Sequence, residues 1–187
     1  MKLVKIEDLK IGQVIRNEFD QITKELIKEY SKVGGFAKLA SNPIHEKEEF
    51  AKKAGHKGII AHGLFSFGFI TKLLDDFIEK EKYGKIIKVG VEMRHPVRCE
   101  DLLITEAIVK KIEGKRVYFD IIQKTITKIH IKKEGKIVQL YEAGEKGYIS
   151  DKDYAKGYVK SKEVDKGSLY YRERINSPGY AIIELFN

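Results

Sequence analysis

Between Thr23 and Gly35 the apolar positions recur at helical spacing. In TKELIKEYSKV, Leu26, Ile27 and Tyr30 fall on one side, Thr23 is placed to cap the start, and Gly34-Gly35 forms the stop. A second short helix is predicted after Pro43, through EKEEFAKKA to Gly55. A third should run from His62-Gly63 to about Tyr83, and its first turns are apolar on nearly every side: Leu64, Phe65, Phe67, Phe69, Ile70, Leu73, Leu74, Phe77 and Ile78. A helix of that kind has to be enclosed by other structure. Lys72, Asp75, Asp76 and Glu79 supply a solvated stripe only further along.

Beyond Gly84 the texture changes to strand. IIKVGVEMRHPV, LLITEAIVKKI, RVYFDIIQKTITKIHI and KIVQLYEAGEKGYI are rich in β-branched and aromatic residues, and Glu113-Gly114-Lys115 and Glu134-Gly135-Lys136 read as hairpin turns. Val117, Phe119, Ile121, Ile129 and Ile131 share one face of the two-residue pleat. Consecutive hairpins make an antiparallel sheet, and the apolar helix needs a cover. The expected class is therefore α+β, a curved antiparallel sheet wrapped around a long central helix. This domain is placed over residues 1–150. Residues 151–187 hold five of the ten tyrosines among many charges, with Gly157, Gly167 and Gly179. They are expected to form an extension of irregular structure and short strands that packs on the domain or on a partner subunit.

Composition narrows the partners more than the fold. The 187 residues are 42% hydrophobic and 34% charged, which suits a folded soluble chain. There are 36 basic and 28 acidic residues, a formal charge of +8, but only six of the cations are arginine. Base readers lean on arginine, and no RRM, KH or helix-turn-helix signature is present, so no nucleic-acid partner is expected. The single cysteine, Cys99, excludes an internal disulfide and a CxxC metal motif. MKLVKIEDLKIGQ lacks the apolar run of a signal peptide, and the most hydrophobic stretch, Gly58 to Phe69, is too short and too polar to span a bilayer. A cytoplasmic protein with no membrane partner is expected.

Two segments carry candidate chemistry. In Ser41-Asn42-Pro43-Ile44-His45, the proline stiffens a loop ahead of a helix and so fixes where Asn42 and His45 point. Histidine is the side chain suited to moving a proton near neutral pH. In GIIAHGLFS (58–66), a turn of small residues opens the apolar helix, and the unpaired N–H groups near Gly63 can hold a developing oxyanion. Ala61, His62 and Ser66 lie beside that amide and are candidate substrate contacts. For His62 a purely supporting role in the turn is the stronger reading, and for Ser66 a bond to its own helix backbone is an equal one. His56, His95 and His130 show no ligand spacing, and no metal site is expected.

NPIH followed by EEFA, then GIIAHG opening a hydrophobic helix, resembles the MaoC-like acyl dehydratases, the hotdog-fold (R)-specific enoyl-CoA hydratases and 3-hydroxyacyl-CoA dehydratases. The resemblance runs from about Ile11 through PVRCEDLL at 96–103, and more loosely to Tyr148. It implies a hotdog fold and a hydro-lyase of fatty acid metabolism that adds water to a 2-enoyl-CoA or removes it from a 3-hydroxyacyl-CoA. It also implies an acyl-CoA bound at a subunit interface of a homodimer or larger homo-oligomer, with coenzyme A as part of the substrate and no separate cofactor. His45 matches the family's catalytic histidine, Asn42-Pro43 its dipeptide, and Gly63 the glycine whose amide meets the thioester carbonyl. The family motif Gly-Asp-x-Asn-Pro-x-His departs at one place: the aspartate position holds Ala40, the preceding glycine is Leu39, and a shifted alignment would put Gly35 there instead. The family's Pro-Gly-Asp turn reads Cys99-Glu100-Asp101. Either His45 works alone, or another acid such as Glu46, Glu48 or one from a partner chain substitutes. The remaining alternative is a catalytically inactive acyl-CoA-binding subunit in a heteromer with a motif-complete hotdog chain.

Overall fold

A computed structural model describes residues 6–32, 42–79 and 82–186 of the chain. In order these form β1 (Val14–Phe19), α1 (Lys24–Tyr30), a 3-10 turn (Pro43–His45), α2 (Glu48–Lys53), α3 (Gly63–Phe77), β2 (Gly84–Val91), β3 (Asp101–Glu113) and β4 (Arg116–Lys133). β5 (Lys136–Leu140), α4 (Glu142–Glu145), α5 (Asp151–Ala155), β6 (Val159–Val164) and β7 (Gly167–Leu185) complete the chain. Thr23 caps α1 as expected, its hydroxyl accepting from the Leu26 N–H. The Gly34-Gly35 stop, Leu39, Ala40 and Ser41 lie outside the described residues.

One antiparallel sheet runs β1-β3-β4-β7-β2, with β5 added to β4 and β6 to β7. β4 and β7 are its long central pair, in register from Arg116↔Glu184 to Lys132↔Ser168. β3 and β5 lie along one edge of β4, while β2 and β6 lie along the opposite edge of β7. The hairpin at Glu134-Gly135 has φ of 50° and 78°, the left-handed pair that a two-residue hairpin loop requires.

α3 lies across the first half of this sheet. Ile70, Leu73, Leu74 and Ile78 pack on Ala107, Val109, Val117, Phe119, Ile121, Ala181, Ile183 and Leu185. Phe65, nearer the helix start, belongs to a second cluster with Ile22, Ile27, Ala51, Ile59, Val97 and Leu103. The helix is not enclosed all round, however. Leu64 is 58% exposed, and Gly68, Lys72 and Asp76 continue that open stripe at intervals of one turn. It also stops at Phe77, short of Tyr83, because Glu79 turns left-handed (φ 48°) and the Tyr83 N–H bonds back to the Ile78 carbonyl.

The C-terminal residues are more regular than their sequence suggests. Residues 167–185 are a single 19-residue strand, and its second half fills the sheet position between β4 and β2. An irregular extension after residue 150 is therefore not what forms. What departs from the simple layout is the excursion between β4 and β7, which carries β5, α4, α5 and β6. Its tyrosines and charges disguise the strand that follows. Among the described residues no helix is long and apolar enough to cross a membrane.

Candidate active site

The NPIH segment builds its geometry locally. The Asn42 side chain accepts from the Ile44 N–H at 3.3 Å, its carbonyl accepts from the His45 N–H at 3.1 Å, and Pro43 takes the first position of the turn. His45 is thereby turned inward, 9% exposed, where its Nδ1 lies 2.7 Å from the Ile60 carbonyl oxygen. A carbonyl can only accept, so Nδ1 carries a proton and Nε2 is the ring nitrogen left free to exchange one. The second segment is tied to the first by this bond. It is anchored further by the Ala61 N–H on the Val97 carbonyl at 2.9 Å.

His62 stacks on His45 with ring centroids 3.6 Å apart. Burial, then the nearby His45, pushes the His62 imidazole below its usual range and so favours its uncharged form. His62 is also the N-cap of α3, but no side-chain hydrogen bond caps the helix. The first-turn amides at Gly63 thus sit at the positive end of a 15-residue helix without a side-chain partner.

His45, Ala61, His62, Gly63 and Ser66 together line one cavity of about 270 Å³. Its opposite side is the loop from Met93 to Val97, and Ser177 of β7 also lines it. Asn42 does not reach the cavity and acts as the cap that orients His45. The Ser66 hydroxyl donates to the Gly63 carbonyl at 2.9 Å, the backbone-bonded arrangement weighed for it, while the residue still forms part of the wall. Gly63 needs its missing side chain for a reason other than free ligand access: a β-carbon there would overlap Sδ of Met93. Met93 is half exposed, and its thioether, an adaptable group, occupies the space beside Gly63 that a side chain would take.

Several wall residues carried no sequence signal. His56 and His95 join His45 and His62, so four of the chain's five histidines meet at this cavity, beside Arg94. Burial, then the charges of Arg98 and His45, lowers the basicity of His56. Despite the imidazoles, no three His, Cys, Asp or Glu side chains are grouped to hold a metal among the described residues. No carboxylate lines the cavity among the described residues. Glu48 is held by Lys146 at 2.8 Å and Lys24 at 3.2 Å, which pull its carboxyl down to about 2, and Glu46 does not line the wall. The Ala40 position itself lies outside the described residues. Cys99 is no nucleophile, its thiol pushed up to about 12 by burial and then by Glu142.

Behind the cavity wall, a polar layer is buried under the helix start. Gln123 Nε2 donates to the Ser66 carbonyl at 2.9 Å and to Thr105 Oγ1 at 3.0 Å, and its Oε1 accepts from Asn176 Nδ2 at 3.3 Å. Asn176 sits where the β4–β7 register slips, and its carbonyl accepts the Arg94 N–H at 2.8 Å. A β-bulge thus positions the far wall of the cavity. One pattern in the sequence marks this layer: the inward positions of β4 switch from Val117, Phe119 and Ile121 to Gln123, Thr125 and Thr127, then back to Ile129.

The family model for the MaoC like domain matches residues 10–134. The chain is 31% identical over 121 residues to the 3-hydroxybutyryl-CoA dehydratase of Methylorubrum extorquens, 62% of this chain and 70% of that protein. It is 38% identical over 78 residues to the peroxisomal hydratase-dehydrogenase-epimerase of Neurospora crassa, 42% of this chain and only 8% of that much longer protein. Among solved structures, the (R)-hydratase from A. caviae involved in PHA biosynthesis aligns with 96% of this chain and 98% of its own, with a TM-score of 0.57 at 13% identity, a likeness of fold. The family match ends where the excursion begins, and β7 then supplies the sheet's remaining central strand. With both motifs on one cavity and this sheet behind them, the chain belongs to the MaoC-like domain family and has its hotdog fold.

Proposed function

We propose that the protein is an acyl-CoA hydratase/dehydratase, adding water to a 2-enoyl-CoA or dehydrating the 3-hydroxyacyl-CoA thioester. The observation that carries this reading is the shared cavity of an Nδ1-anchored His45 and the uncapped amide at Gly63. In the hydration direction, His45 Nε2 takes a proton from water as the water oxygen bonds to the β-carbon of the enoyl group. The π electrons move toward the thioester carbonyl, whose oxygen gathers negative charge at the Gly63 N–H. The imidazolium then returns the proton to the α-carbon, and the enolate collapses to the thioester. His45 thus serves as base and then acid, which an imidazole fixed through Nδ1 can do. The dehydratase activity named for the Methylorubrum relative supports this class of reaction.

Ala61, His62 and Ser66 would shape the walls around the acyl group, and coenzyme A enters as part of the substrate with no separate cofactor. A second hotdog subunit would cover the exposed Leu64, Ile87 and Met93 beside the cavity and along the outer strand β2. The test is hydration of crotonyl-CoA by purified protein, read as loss of enoyl absorbance. His45→Ala is expected to lower kcat about 10²–10⁴-fold, the usual worth of a positioned proton-transfer group. Unchanged activity in that variant would remove the mechanism.

A second reading is favoured by one observation, the absence of a carboxylate from the described cavity wall. On that reading the chain binds acyl-CoA without reacting and pairs with a motif-complete hotdog subunit. Turnover by the isolated chain eliminates it. Activity that appears only on adding such a subunit supports it.

A further inference from the structure

Next to the catalytic cavity lies a second one of about 440 Å³, and the two share the His56 side chain as a wall. Its remaining lining is Lys52 from the end of α2, Gly55, Lys57 from the following loop, and Lys146 from the excursion. No carboxylate is among these residues. Lys146 is held between Glu48 and Glu142, 2.8 Å from each. Among the described residues Lys57 has a neutral partner alone: its ammonium donates to the Gly147 carbonyl at 2.5 Å. Lys52 takes part in no ion pair among the described residues. Arg98 adds to the same field, since its charge bears on His56 while its guanidinium lies over the Tyr148 ring, 4.6 Å from the centroid, with Nη1 buried and unbonded.

The site is built rather than incidental. Gly58 has no room for a side chain, because a β-carbon there would overlap the Tyr148 hydroxyl and come 3.4 Å from Lys146 Nζ. Tyr148 in turn donates to Glu142 at 3.0 Å, and the Glu142 N–H donates to Glu100 at 2.9 Å. The excursion is therefore clamped against the 57–58 loop and carries its lysine to a fixed place. Lys52 and Lys57, with no ion-pair partner among the described residues, stand beside a third ammonium shared by Glu48 and Glu142, and a recess with that excess of positive charge is matched by a multiply charged anion.

We propose that Lys52, Lys57 and Lys146 form a phosphate-binding subsite that takes the nucleotide phosphates of the thioester's carrier while the acyl group occupies the adjoining cavity. This rests on the acyl-thioester reading for its ligand. The basic wall, to which the excursion contributes Lys146, favours a phosphorylated nucleotide carrier over a bare pantetheine. Lysines act here as point charges, so the subsite favours phosphate charge over any shape of base.

The experiment has a binding arm and a kinetic arm. Titration calorimetry with adenosine 3′,5′-bisphosphate should give saturable binding that weakens with added salt, and the Lys52→Glu/Lys57→Glu double variant should bind about tenfold or more weakly. In kinetics, the wild-type preference for crotonyl-CoA over crotonyl-pantetheine should fall by a similar factor in the variant, through KM. No binding of the bisphosphate by the wild type, equal binding by the variant, or an unchanged preference would overturn the subsite. Lysine-dependent binding by a protein that does not hydrate crotonyl-CoA would keep the subsite and remove the reaction. Turnover with an unchanged preference would do the reverse. Circular dichroism of the variant keeps a folding defect from being read as either.

Discussion

Asp101 places a carboxyl in the interior, outside the cavity. It is fully buried, accepting from Thr127 Oγ1 at 2.6 Å and from the Arg98 N–H at 2.8 Å. Burial pushes its carboxyl up to about 6 against those hydrogen bonds and the neighbouring arginines. A carboxyl more easily protonated in the fold than in the unfolded chain contributes stability that is full below the unfolded value of 3.8 and lost as pH rises through about 6. Urea unfolding should therefore show wild type gaining up to about 3 kcal/mol on Asp101→Asn between pH 7 and pH 3, a little over two pKa units at 1.36 kcal/mol each. A difference between the two proteins that stays flat with pH would mean the group is solvated. Asp101 was legible only as a turn residue, because its strand phase says inward but nothing local says which partners wait there. His45 was legible outright: Pro43 and the Asn42 cap act within three residues, so the ring's setting is a local matter. His56 and His95 gave no signal, since they reach the cavity from separate loops that only packing brings together.

At the scale of elements, the excursion is docked by buried charge. Asp153 of α5 is 1% exposed and forms ion pairs with Arg174 and, at 3.8 Å, with Arg172. Against the cost of its burial, hydrogen bonds from Ser150 and the two arginines hold its carboxyl below the usual range. Arg172 reaches on to Thr127 and to the Tyr148 carbonyl, each at 3.2 Å, so α5, β4 and the segment carrying Lys146 share one network. Removing one partner of such a set strands the others, so Asp153→Ala is expected to cost about 3–5 kcal/mol in denaturant unfolding. Helices and strands were largely readable here because each repeats its own period: α1 from its cap, β4 from 117–131. The polar interruption at Gln123, Thr125 and Thr127 sat in that same strand as a readable mark of the site. The length of α3 was overestimated because its apolar run passes through Ile78, while the left-handed Glu79 ends the helix.

For the molecule as a whole, the position of β7 decides what is a folding unit. β4 and β2 do not pair with each other; each pairs with β7. A chain cut after residue 150 leaves both with an open edge and uncovers Val117, Phe119 and Ile121. Such a fragment should fail to give a dispersed amide NMR spectrum, whereas a well-dispersed one would restore 1–150 as an independent domain. By itself the sequence determined what depends on neighbours along the chain. That includes the turn that aims His45, the glycine at the head of α3, the hairpin pleats, and with them the α+β class and the MaoC-like motifs. Only the tertiary structure decided what depends on residues far apart in sequence. It inserted β7 between strands whose paired residues lie 36 to 101 positions away, gathered four histidines at one wall, and set Lys146 beside Lys57. Periodicity reports which way a side chain faces, but only packing against distant segments settles what it faces.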